Sequence, residues 1–280
     1  MFKSGRGPAV GRVLSYALPI ATAAAVLAPT AAAGADKQPR MRVADSSPRA
    51  VYLDSGRKAR FKFELAGSQR RDLVIKAIRV GDGEVVRRWR RDGIEPGDRK
   101  RVSWNGKTRK GGYTNTGKHT FKVYERGRGK AETADAKGKK RFRFYKHRFP
   151  LRGRHTYGDG FGAGRGHQGA DVFAKCGRRM RAARGGKVQV RGSHGSAGKY
   201  LVIDGHANGY DYVYMHMKRR GRPKVGERVR TGERIGYVGE TGNASGCHLH
   251  FEIWWPPGCY EGGRPHRKVK RLLKRWDGWS

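Results

Sequence analysis

The sequence predicts a mainly β protein: an N-terminal β-sandwich, a second antiparallel β domain, and a short basic C-terminal helix. Three observations predict it. Between Ala50 and Tyr145, short runs alternate apolar and polar residues at period two, the mark of half-buried strands. From about Arg148 to Gly263, glycine-rich turns punctuate further short runs and no helical period is sustained. At the end, Val269, Leu272, Leu273 and Trp276 fall at i, i+3, i+4 and i+7 among lysines and arginines, which is an amphipathic helix. The expected divisions are an export segment at 1–35, a linker at 36–49, the sandwich at 50–147, the second domain at 148–263 and a basic tail at 264–280.

Lys3, Arg6 and Arg12 precede the apolar stretch Val13 to Ala28, and Ala33-Gly34-Ala35 supplies small residues ahead of Asp36. Positive head, apolar run and small-residue site together read as a secretory signal peptide. The run contains Pro19 and is shorter than the ~20 residues needed to span a bilayer, so no transmembrane segment is expected after cleavage. Residues 36–49 are polar and contain Pro39 and Pro48, as a linker would.

In the sandwich region, Phe61, Phe63 and Leu65 alternate with Lys62 and Glu64. Further strands are expected over Leu73 to Val80, Val85 to Trp89, His119 to Tyr124 and Arg141 to Tyr145. Gly81-Asp82-Gly83, Glu95-Pro96-Gly97-Asp98 and Gly111-Gly112 separate them, a spacing that favours a sandwich. His119 and His147 are expected at the surface or in turns, and this region holds no catalytic constellation. In the second domain the tetrad Gly226-Glu227-Arg228-Val229 is echoed by Gly232-Glu233-Arg234-Ile235, two successive turn-then-strand units.

The chain has 63 Lys+Arg against 23 Asp+Glu, a formal net charge of +40, with 36% hydrophobic residues. That balance excludes a polytopic membrane protein, and the apolar content excludes a wholly disordered chain. Charge of this size attracts polyanions such as nucleic acid, anionic lipid or the anionic polymers of a bacterial wall. Export makes wall polymers the expected partner and leaves no specific nucleic acid expected. Cys176, Cys247 and Cys259 allow one disulfide and one thiol in an oxidising compartment, with the pairing open.

Chemistry concentrates in three segments. Side chains at i, i+2 and i+4 of a strand share a face. In His167-Gln168-Gly169-Ala170-Asp171, that parity puts His167 and Asp171 together with Gly169 leaving room between them. In His248-Leu249-His250 both imidazoles share a face. In Tyr210 to Met217, the residues Tyr212, Tyr214 and His216 line one face while Val213, Met215 and Met217 turn to the core. Imidazole and carboxylate suit a borderline divalent ion, and a catalytic zinc site takes three protein ligands. The surplus histidines are then free for proton transfer. His155, His194, His206 and His266 lie outside these segments and are expected to be ordinary core or surface residues.

Other site types fit less well. Gln168 follows His167, so the HExxH helix is absent. An iron oxygenase of the two-His-one-carboxylate kind would share the ligand set but needs an intracellular co-substrate. A Cys-His peptidase would need Cys247 and His248 side by side, and neighbours on a strand face opposite ways.

His167-x3-Asp171, Tyr214-x-His216 and Gly246-Cys247-His248-Leu249-His250-Phe251-Glu252 resemble the three motifs of the lysostaphin-like zinc endopeptidases, peptidase family M23. The similarity runs from about Phe149 to Glu261. It implies an antiparallel β peptidase fold, one Zn²⁺ held by His167, Asp171 and His250, and His216 and His248 as catalytic histidines. Tyr212 and Tyr214 are expected either to line the cleft or to pack across the strands. The resemblance implies a secreted, wall-localised hydrolase of peptidoglycan peptides, with a non-catalytic wall- or polyanion-binding protein as the alternative. A Cys176–Cys247 disulfide bracing the metal strands is expected beside it, with Cys259 free. Residues Val102 to Tyr124 resemble the immunoglobulin-like module of flagellar hook-capping proteins and many secreted bacterial enzymes.

Overall fold

A computed structural model describes residues 40–127, 141–164 and 166–280. The expected signal peptide lies outside the described residues. Among the described residues the chain is mainly β, with one short helix at its C-terminal end. No helix among the described residues is long and apolar enough to cross a membrane.

The first half contributes β1 (Arg40–Ser47), β2 (Ala50–Tyr52), β3 (Ala59–Ala66), β4 (Arg71–Arg79), β5 (Val85–Ile94), β6 (Arg99–Trp104), β7 (Gly117–Glu125) and β8 (Arg141–Tyr145). They form a three-stranded sheet, β1-β3-β6, and a five-stranded sheet, β2-β8-β7-β4-β5. The alternation in β3 buries Phe61, Phe63 and Leu65 and exposes Lys62. Phe61 stacks across the gap on Phe121 of β7 at 5.0 Å, and Trp104 of β6 meets Phe142 of β8 at 5.8 Å, so the two sheets share one core.

Two expectations fail here. Residues 40–47, read as linker, pair with β3 as an edge strand and bury Met41 and Ala44; their short, polar-interrupted pattern hides an alternation broken by a bulge between Met41 and Val43. His119 is not at the surface. It is wholly buried between Trp104 and Phe142, its ring nitrogens matched to Thr114 Oγ1 and the Gly117 carbonyl. Burial pushes its pKa down to about 4, so the ring packs as a neutral aromatic.

The second half contributes β9 (Thr156–Tyr157), β10 (Ala170–Phe173), β11 (Arg179–Arg181), β12 (Gly186–His194), β13 (Gly198–Gly205), β14 (Asp211–Met217), β15 (Arg228–Val229), β16 (Arg234–Tyr237), β17 (His248–Trp254) and α1 (Val269–Asp277). A seven-stranded sheet runs β15-β12-β13-β14-β17-β10-β9, and β11 pairs with β16 apart from it. The echoed tetrads therefore feed different sheets, β15 joining β12 and β16 joining β11. In each, the glutamate accepts the backbone N–H three residues earlier, Glu227 from Lys224 and Glu233 from Arg230, which closes the same turn twice.

The sheet has two dissimilar faces. Leu249, Phe251 and Ile253 point into a core completed by Phe149, Leu151, Tyr214 and the buried stripe of α1, Val269, Leu273 and Trp276. The opposite face carries His248, His250 and Glu252. The C-terminal segment also ties the two halves together: Tyr52 donates its hydroxyl to the Trp279 carbonyl at 3.0 Å, and Tyr145 stacks on Trp279 at 4.7 Å. His147, expected at the surface, is half-buried here and stacks on Trp276 at 4.4 Å.

Candidate metal centre and active site

The register of β10 and β17 sets Asp171 opposite His250 and Phe173 opposite His248, so the carboxylate and both imidazoles face the same side. His167 arrives differently. It lies ahead of β10 in a loop rather than on a strand, and Gly169 makes the approach possible. A Cβ at Gly169 would sit 2.5 Å from the Phe251 carbonyl and 2.7 Å from His250 Nε2, so only glycine lets this turn lie against β17.

His167 Nε2 lies 3.1 Å from Asp171 Oδ1, and His250 Nδ1 lies 2.9 Å from the same oxygen. His167, Asp171 and His250 each offer one ligand atom, all within 4.8 Å of one another. Beside them, His216 and His248 stand with ring centroids 4.5 Å apart, and His248 Nε2 is 3.7 Å from Asp171 Oδ1. His216, His248 and His250 are all buried.

The outer hydrogen bonds decide which nitrogen of each ring carries hydrogen, because a carbonyl can only accept. His167 Nδ1 donates to the Gly160 carbonyl at 2.8 Å, His216 Nδ1 to Thr241 at 2.7 Å and His248 Nδ1 to Gly246 at 2.9 Å. His250 is turned the other way: its Nε2 donates to Glu252 Oε1 at 2.9 Å, and Glu252 Oε2 in turn accepts from Trp254 Nε1 at 2.7 Å. Each ring of the Asp171 cluster, when neutral, therefore turns its unprotonated nitrogen to the carboxylate, where a cation would stand in place of a proton. Donor atoms of a tetrahedral site with ~2.0–2.1 Å bonds stand roughly 3.3 Å apart, close to the spacing here, so the donor set fits a divalent cation.

The electrostatics agree. Burial works to raise the Asp171 carboxyl, but the hydrogen bond from His250 and the nearby charges of His250, His167 and His248 outweigh it and hold the pKa below the usual range. Burial works against a charge on His250, yet its hydrogen bonds to Asp171 and Glu252 push its pKa up to about 9. Two carboxylates that favour a proton there favour a cation as well. His216 goes the other way: burial lowers its pKa, the Thr241 hydrogen bond only partly offsets that, and His248 and His250 lower it further.

Tyr212 and Tyr214 do not line the cleft. Both are buried, and the Tyr214 hydroxyl accepts the Ala183 N–H at 2.7 Å in the core. The physical reason is a bulge. Tyr214 pairs with Leu201, but Met217 pairs with Lys199, so β14 spends three residues where β13 spends two. His216 takes φ +56° there. The extra residue breaks the parity, sending the tyrosines inward while His216 joins the other histidines. Glu252 closes the third motif, which assigns it no role. Its position two residues after His250, on the same face, is the signal that could have found it.

Cys176 and Cys247 form a disulfide with Cα atoms 5.3 Å apart, tying the turn after β10 to the residue just before β17; Cys259 is free. Glu240 accepts the Gly246 N–H at 2.6 Å on the same turn.

The chain matches the family model described as Peptidase family M23 over residues 165–265. It is 40% identical over 87 residues to the peptidoglycan DD-endopeptidase ShyC of Vibrio cholerae, covering 31% of this chain and 20% of that protein. It is 39% identical over 86 residues to the DD-carboxypeptidase/endopeptidase Mpg of Neisseria meningitidis, covering 31% and 19%. The chain thus spans about a fifth of the length of these curated relatives. The catalytic domain of the antimicrobial peptidase lysostaphin from Staphylococcus simulans is 26% identical, with 43% of this chain and 92% of that chain covered at a TM-score of 0.39.

Proposed function

We propose that the protein is a secreted zinc-dependent endopeptidase that hydrolyses peptide bonds in peptidoglycan. The carrying observation is the meeting of His167 Nε2, Asp171 Oδ1 and His250 Nδ1 around one point, with His216 and His248 alongside. The M23 match and the relatives' names support the substrate class.

In this reading His167, Asp171 and His250 hold Zn²⁺, which supplies Lewis acidity for activating water and polarising a scissile carbonyl. Glu252 and the Gly160 carbonyl fix the two ligand rings in the tautomers that bind it. His216 and His248 keep Nδ1–H on backbone carbonyls, which leaves Nε2 of each as the working nitrogen. A neutral ring accepts a proton there as general base; once protonated it returns the proton to the leaving amine or donates a hydrogen bond to the developing oxyanion. The lowered pKa of His216 keeps it neutral, and so able to accept, at neutral pH.

The remaining assignments belong to the same proposal. Residues 1–35 direct export, the sandwich with its edge strand 40–47 forms an immunoglobulin-like module, 148–263 form the catalytic domain, and the excess positive charge concentrates the enzyme on anionic wall polymers. That charge also favours a second reading, a non-catalytic wall-binding protein. Digestion of purified peptidoglycan by the mature chain, with and without a chelator, separates them. New amino groups that disappear with chelator and return with Zn²⁺ support the enzyme; none under any metal condition leaves the binding protein. Binding to isolated walls that does not weaken from low to high salt would remove the electrostatic part.

A further inference from the structure

A cavity of about 380 Å³ lies between the sandwich, the second sheet and the C-terminal helix. Ile253 and Tyr212 line it, and strand alternation places both on the face of the sheet opposite His248 and His250. The cavity therefore lies across the sheet from the metal centre.

Its lining is unbalanced in charge. Lys146, Arg184 and Arg275 contribute cations and no carboxylate lines the cavity. None of the three pairs with an acidic side chain among the described residues. Arg184 is 3% exposed; its Nε donates to the His206 carbonyl at 2.8 Å, Nη1 meets His147 Nε2 at 3.5 Å, the Tyr212 hydroxyl also hydrogen-bonds the guanidinium, and the Asp54 carboxylate acts on it without a contact ion pair. Lys146 Nζ donates to the neutral Asn115 Oδ1 at 3.0 Å, and Arg275 lies over the Trp279 ring. Trp279 also lines the cavity, and its Nε1 is buried with no hydrogen-bond partner. A buried orphan donor and a buried guanidinium with no carboxylate in contact are each costly unless something answers them. Burial and the neighbouring Arg184 both hold Lys146 below its ordinary pKa, as expected where like charges crowd.

We propose that this cavity binds a small organic phosphate, with the phosphate oxygens on Lys146, Arg184, Arg275 and Trp279 Nε1. Several N–H donors converging without an acceptor of opposite charge match a dianion with several acceptor oxygens better than a single carboxylate. The volume exceeds that of a lone phosphate and falls in the range of small-ligand sites, leaving room for a polyol or sugar. The faces of Trp276 and Trp279 are already covered by His147, Tyr145 and Arg275, so recognition falls to the polar groups rather than to stacking.

Calorimetric titration of the mature chain with glycerol 3-phosphate, inorganic phosphate and glycerol tests this at fixed low ionic strength. The expected result is one saturable site for glycerol 3-phosphate, weaker binding of inorganic phosphate and none of glycerol. Lys146→Gln with Arg275→Gln should weaken binding tenfold or more, and Trp279→Phe, which removes only the orphan N–H, severalfold. Lys62→Gln with Arg101→Gln takes the same charge from an exposed strand pair of the sandwich and should change nothing. Absence of a saturable site, equal affinity for both phosphates, or equal weakening by the two double variants would overturn the proposal. Retention of binding in His250→Ala keeps this outcome distinct from that of the peptidase reading.

Discussion

His119 in the sandwich and His250 in the second sheet are both buried strand histidines, yet they behave in opposite ways. His119 has only a hydroxyl and a carbonyl for partners, and burial drives its pKa down to about 4. His250 lies between two carboxylates, Asp171 and Glu252, and is pushed up to about 9. Burial alone therefore does not mark a functional histidine. What marks one is the convergence of acidic groups and further imidazoles on it, which a sandwich with Lys/Arg on its outward positions does not supply.

The sharpest break of this contrast is His250→Ala, or Asp171→Ala. Either should abolish bound metal and reduce peptidoglycan hydrolysis to background, while the near-ultraviolet signal of the sandwich aromatics stays intact. Metal analysis and amino-group release read both; full activity in either variant would end the metal assignment. His248→Ala is next, with an expected loss of about 10²–10⁴ in kcat and metal content retained. A loss of metal instead would make His248 a ligand. Glu252→Gln tests the positioning of His250 and should weaken Zn²⁺ affinity about 10–100-fold with the fold unchanged. Zinc competition against a chelating dye measures it.

Two stability effects complete the comparison. Cys176→Ser with Cys247→Ser opens a link across 71 residues, worth about 4 kcal/mol by loop entropy, so the second half should melt roughly 10 °C lower. The smallest effect is at His119. Its folded pKa lies below the unfolded value of about 6.5, so the unfolded chain binds the extra proton between those limits. Its contribution is present above pH ~6.5 and is lost as pH falls towards about 4. Thermal melts from pH 7 to 4 should show a shallower decline in His119→Phe than in the parent.

Much of the fold was legible because strand alternation is local: Phe61, Phe63 and Leu65 need only their own neighbours to declare a buried face. The same holds for His248 and His250, which share a face whatever pairs with them, and for the stripe of α1. The errors arose where local pattern met distant chain. Residues 40–47 lack a clean alternation and become a strand because β3 offers them a partner. Tyr212 and Tyr214 follow period two faithfully, but which side is inward depends on the bulge before Met217 and on the register with β13.

By itself, then, the order of residues determined the β character of both halves, the excess positive charge and the histidine motifs, since all are properties of composition and of side-chain parity within a few residues. The tertiary structure decided which faces turn inward, how His167 reaches Asp171 from a loop through Gly169, why Glu252 stands behind His250, and how Lys146, Arg184 and Arg275 come to share one cavity. Those depend on register, bulges and contacts between segments far apart in the chain, which no local period encodes.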